Sequence, residues 1–288
     1  MEWTPGGVSN DIEDRRDESG GGGGGFRFGG FHIGCGGLII LGILSLIFHQ
    51  NLFTLLSSDQ SSAPAVQSHP DYAQDQREQP EVEFVSFVLD DVQNNWSRIL
   101  PEARNVPYRR AKLVLFRDAY PSGCGLAREA IGPFYCPEDK KVYLDLGFFD
   151  ELRSRFHAPG EFAQAYVIAH ELGHHVQDLL GTLSKVHRLE QTRPDEANPL
   201  SVRLELQADC YAGIWGHTTA QRRIVDSSDV TAALDAAAAV GDDRLQRMAT
   251  GRVSPETFTH GTSAQRVHWF QRGFDTGDLS ACNTFRNP

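Results

Sequence analysis

The sequence predicts an α+β fold: a small sheet followed by a mostly helical half, standing behind one apolar N-terminal segment. Three observations predict it. Lys112–Phe116 and Val142–Leu146 are short runs of Leu, Val, Phe and Tyr, suited to strands. Glu161–Leu180 and Ser201–His217 carry strong helical patterns. Phe28–Ser58 contains no Asp, Glu, Lys or Arg.

The apolar segment sets the domain boundaries. Ile33–Phe48 is almost wholly apolar, and Leu52–Leu56 extends it past His49, Gln50 and Asn51. About 20 apolar residues cross a bilayer, so residues 33–56 are expected to span one, with the polar trio near an interface. A buried core helix is the alternative, but a Gly run and a polar linker flank the segment and offer nothing to pack on. A cleaved signal peptide fits poorly, because a long polar stretch precedes the segment and Ala63-Pro64-Ala65 is a weak cleavage site. Arg15, Arg16 and Arg27 precede it and the next base is Arg77. The positive-inside rule therefore predicts a single-pass protein with a cytoplasmic N-terminus and an extracytoplasmic body, in the periplasm or at the cell exterior.

Residues 1–32 are polar and then glycine-dense, and are expected to be a disordered tail. Residues 57–80, rich in Ser, Gln, Pro and Asp, read as a linker. The folded domain is placed at residues 81–288. It opens with Val82, Val85, Val88, Val92, Trp96 and Ile99 at helical spacing, with Pro101 as the stop. The turn-rich region from Gly123 to Pro137 has strand character near Leu126–Ile131, and Pro194–Pro199 is a loop. Helices are expected at Ser228–Val240, Asp242–Thr250 and Thr262–Thr276.

Composition excludes one class of partner. The net charge is −11 with no basic stripe, so nothing neutralises phosphates and nucleic acid is not expected. Of the five cysteines, Cys35 lies in the apolar segment. Cys124 and Cys136 flank a Gly-rich turn and are paired, which leaves Cys210 with Cys282, in keeping with an oxidising compartment.

Chemistry concentrates in His170-Glu171-Leu172-Gly173-His174 on the Glu161–Leu180 helix. Positions four apart share a helix face, about 6 Å along the axis, so His170 and His174 can converge on one Zn²⁺ ion. Glu171 sits about 100° round the helix from His170, poor as a ligand and well placed as a base toward a water at the metal. A catalytic zinc needs a third protein ligand. Glu205, on the next strong helix, is that candidate; Asp209, one turn on, is the candidate to bind the free nitrogen of a ligand His. A solvated acidic face is the alternative for this pair, but Leu204, Leu206, Ala208, Tyr211 and Trp215 surround it. His175 points away from the metal, and His187, His217 and His268 have no partner spacing.

His170-Glu171-x-x-His174 followed by Glu205-x-x-x-Asp209 resembles the glutamate-ligand zincins, and the whole chain is similar to the bacterial membrane-anchored neutral zinc metallopeptidases. Asn10–Arg16, Gly132–Pro137, Gln207–Gly213 and His260–Ser263 carry that resemblance along with the zinc helix. It implies a zincin-like domain with a small sheet packed on the active-site helix, and hydrolysis of peptide or protein substrates. His260, Tyr211 and His175 are candidates to stabilise the oxyanion, and spacing leaves the choice open. The alternative function is a membrane-tethered, non-catalytic zinc-containing binding or adaptor module. Structural zinc sites usually close with four Cys or His ligands, whereas this pattern offers three plus Glu171. Oligomeric state is not legible in the sequence.

Overall fold

The computed structural model describes residues 1–18, 72–128, 132–154 and 160–286. The expected span, residues 33–56, lies outside them, and among the described residues no helix is long and apolar enough to cross a membrane. The elements are β1 (Ile12–Asp14), α1 (Tyr72–Arg104), β2 (Lys112–Phe116), β3 (Ala119–Ser122), β4 (Gly125–Arg128), β5 (Phe134–Cys136), β6 (Lys141–Asp145) and α2 (Gly147–Ser154). The helical half follows: α3 (Glu161–Leu179), α4 (Thr182–Thr192), α5 (Ala197–Gln221), α6 (Ser227–Ala239), α7 (Asp242–Thr250) and α8 (Ser263–Thr276). The fold is α+β, with a small sheet and a mostly helical remainder, as the strand and helix patterns imply.

Four strands form the sheet in the order β1-β2-β6-β5. β1 and β6 both run parallel to β2, while β5 runs antiparallel to β6 and forms an edge. Side chains alternate across a strand, and here both faces are covered. Leu113, Leu115, Val142 and Leu144 enter the main core with the helices. Val114, Phe116 and Tyr143 enter a second cluster with Ala127 of the β3–β4 hairpin. The Cys124–Cys136 disulfide ties that hairpin's turn to β5.

Residues 1–18 correct the expected boundary. They are not a separate tail but part of the body. Ile12, Glu13 and Asp14 pair with Leu113, Val114 and Leu115. The Met1 ammonium meets Asp229 at 2.8 Å, and Trp3 packs edge-on to Phe84. The Arg16 guanidinium is buried between Asp14 and Glu78. The physical reason is β2. Leu113–Phe116 is buried on both faces, as in a central strand, and such a strand needs a hydrogen-bonding neighbour on each side. Composition hid this, because the pairing segment is only three residues long.

Residues 72–80 are likewise helix rather than linker, forming the start of α1. Pro80 is solvent-exposed, so the carbonyl it leaves unpaired is at the surface. Pro101 does not end the helix, because its own carbonyl still accepts from Asn105, whose positive φ of 55° terminates the final turn.

α3 runs through the core with most of its residues buried, between α1 and the sheet on one side and α5, α6 and α8 on the other. It ends at Gly181, in the left-handed region at φ 72°. α4 starts at once, where no helix was expected. Val186 and Leu189 pack on Leu200 and Leu204 of α5, and Leu183 is buried one turn earlier.

Candidate metal centre

α3 and α5 approach most closely around Gly173, where a Cβ would lie 3.0 Å from the Ala208 carbonyl. That closeness sets the His170–His174 face of α3 against the Glu205–Asp209 face of α5. His170 Nε2 is 3.2 Å from Glu205 Oε2, and His174 Nε2 is 3.4 Å from Glu205 Oε1. One donor atom from each of the three residues lies within 4.8 Å of the others. Neighbouring donors around a tetrahedral zinc with bonds of about 2.0–2.2 Å are about 3.3–3.5 Å apart; the two histidine–Glu205 contacts match that spacing, and the donor types suit the ion.

Both imidazoles are oriented from behind. His170 Nδ1–H donates to Asp209 Oδ1 at 2.9 Å, and His174 Nδ1–H donates to Gln177 Oε1 at 2.9 Å. Each bond fixes the tautomer and turns Nε2 toward Glu205. Gln177 is itself held by the Leu204 carbonyl and by Gln207. Asp209 is fully buried and accepts from Tyr166 Oη at 2.6 Å and from Arg266 Nε and Nη2, both at 2.8 Å. Asp209 therefore links α3 to α8 as well as orienting His170.

The charges at the centre depend on one another. Burial alone would raise the Asp209 pKa, but the Arg266 and His170 charges outweigh it and bring it down to about 2. Burial would lower His170, yet the Asp209 charge and the bonds to Asp209 and Glu205 push it up to about 10. Glu205 is held well below the usual carboxylate range: burial is overridden by the His174 charge and by bonds from both histidines. Glu171 moves the other way. Burial raises it, against the His170 and His174 charges, and it accepts a backbone hydrogen bond from Tyr135 on the edge strand β5.

Among the three oxyanion candidates, two face elsewhere. Tyr211 is buried edge-on against Trp96. His175 meets Tyr135 Oη at 3.1 Å and donates to the Arg109 carbonyl at 2.6 Å. His260 remains partly exposed and sits close enough to Glu205 for the two charges to shift each other. Its loop is built on Asp242, a buried carboxylate whose Oδ2 gathers the amides of Thr259, His260 and Gly261. Asp242 Oδ1 also lies 3.2 Å from His260 Nδ1. Burial lowers the His260 pKa, but the bond to Asp242 and the Glu205 charge raise it above the ordinary value.

Sequence reasoning missed Gln177, Tyr166, Arg266 and Asp242. Gln177 stands three residues after His174 and was legible as its helical neighbour. Arg266 and Asp242 are distant in sequence and gave no local signal. Both expected disulfides are present, Cys124–Cys136 and Cys210–Cys282.

Comparison with known proteins agrees with this geometry. The sequence profile of the family described as "Putative neutral zinc metallopeptidase" matches residues 1–285. An uncharacterised Escherichia coli protein, YpfJ, is 44% identical over 288 residues, covering 99% of each chain. An uncharacterised Mycobacterium tuberculosis protein is 46% identical over 201 residues, 66% of each chain. No solved structure matches. The chain belongs to the neutral zinc metallopeptidase family that this profile describes.

Proposed function

We propose that the protein is a zinc-dependent peptidase of zincin-like fold, attached to a membrane through residues 33–56. The carrying observation is that His170, His174 and Glu205 present three convergent donors while Glu171, outside that set, is buried beside them. A site with three protein ligands and a buried carboxylate outside the ligand set leaves a coordination position and a base for chemistry. Zinc, when bound there, supplies a Lewis acid that lowers the pKa of water and polarises a carbonyl oxygen. Glu171, its carboxyl raised by burial, takes a proton from the attacking water and returns it to the leaving amine. His260, held by Asp242, donates to the oxygen on which negative charge develops. β5 is a sheet edge next to Glu171, and such an edge offers main-chain groups to an extended peptide.

The test is metal content and peptide-library cleavage on the full chain and on three variants. Glu171→Gln is expected to keep its zinc and lose about 10²–10⁴-fold in cleavage rate. His174→Ala and Glu205→Ala are expected to lose both metal and activity. Cleavage undiminished in Glu171→Gln removes the peptidase mechanism. A zinc-loaded parent that cleaves nothing in the library points to the binding-module alternative.

A further inference from the structure

The expected single crossing conflicts with the pairing of residues 1–18. Residues 33–56 were expected to cross a membrane once, with residues 1–32 on one side and the body on the other. A single crossing puts about 30 Å of hydrocarbon between the flanks. Yet β1 pairs in register with β2, with backbone bonds from Leu113 to Asp11 and from Arg15 to Leu115, both 2.8 Å. The contacts run the length of residues 1–18, from Met1–Asp229 through Ser9–Asp90 and Lys112–Asp11 to Arg16–Glu78. Pairing of this kind requires both partners in one compartment.

Two of the charges that set the expected orientation, Arg15 and Arg16, are engaged in the fold. Arg16 is buried against Asp14 and Glu78, and Arg15 pairs with Glu18 at 2.6 Å. The points where the chain leaves and rejoins the body are also adjacent. Arg117 meets Asp17 at 3.8 Å, Asp75 at 2.6 Å and Glu78 at 2.7 Å, and bonds the Arg16 carbonyl. One guanidinium therefore joins the chain just before residue 19 to the chain just after residue 71. The family profile begins at residue 1, which makes this segment part of the shared domain.

We propose that residues 1–18 and the peptidase body lie on the same side of the membrane. The N-terminus then travels with the candidate active site.

Labelling of single cysteines in intact cells tests this. The full chain with Cys35→Ser is the background, and Val8→Cys and Met248→Cys are made separately; both positions are 51% exposed. Bacterial spheroplasts are treated with a membrane-impermeant maleimide before and after permeabilisation, and circular dichroism of each purified variant checks that it is folded. The expected result is that both positions label in the same step, either both before permeabilisation or both only after it. Labelling of one position before permeabilisation and the other only after would overturn the proposal. The readout does not involve catalysis, so it stands or falls apart from the peptidase reading.

Discussion

His170 holds a proton tightly in the metal-free site, because the buried Asp209 and the Glu205 carboxylate both favour its charged form. The sign follows from the direction of the shift. Its pKa is raised from 6.5 to about 10, so the stabilisation it gives the metal-free protein is complete below pH 6.5 and is lost as pH rises through about 10. Zinc must displace that proton, so metal affinity runs the opposite way. Between pH 6.5 and 9, zinc affinity measured by chelator competition is expected to rise about tenfold per pH unit, with about one proton released per ion. A flat profile over that range would show that His170 is neutral before the metal arrives.

At the scale of elements, the crossing of α5 and α8 decides the geometry behind the metal site. The two backbones touch. A Cβ at Gly273 would fall 1.9 Å from the Cys210 carbonyl, and one at Gly213 would fall 2.1 Å from the Phe270 carbonyl. This contact brings Arg266 within 2.8 Å of Asp209. Gly273→Ala is expected to cost about 3 kcal/mol, because two packed helices must move apart. Gly6→Ala, where nothing lies within 4 Å, should change stability by no more than a few tenths of a kcal/mol. Urea unfolding midpoints of the two variants provide the comparison. α8 itself is specified locally, by the Thr262–Gln265 capping box at its start and Gly277 at its end.

For the molecule as a whole, covalent and ionic ties join segments distant in sequence. Cys210–Cys282 closes a separation of 72 residues and fastens the C-terminal segment to the middle of α5. By loop-closure entropy it contributes about 4 kcal/mol, so Cys210→Ala with Cys282→Ala should lose about that much in denaturant unfolding, less any residual order in the unfolded chain. Gln207, beside Cys210, donates to the Cys282 carbonyl, so the tie ends within one turn of Glu205. Residues 1–18 tie the opposite end of the chain to β2, α1 and α6.

The amino-acid sequence determined the local features of this protein. Periodicity marks α3, α5, α6 and α8 to within a few residues, because a helix's buried stripe repeats within its own segment. The four-residue spacing of His170–His174 and of Glu205–Asp209 was readable for the same reason, and so was the placing of both pairs on helices that could face each other. Tertiary structure decided what spacing along the chain does not encode. It brought Arg266 to Asp209, set His260 near Glu205 on a loop pinned to Asp242, and gave His174 its bond to Gln177. It also placed Ile12–Asp14 in the sheet. Three residues of β1 show no periodicity and little hydrophobicity of their own; their conformation comes from the unpaired edge of β2, formed by residues a hundred positions away.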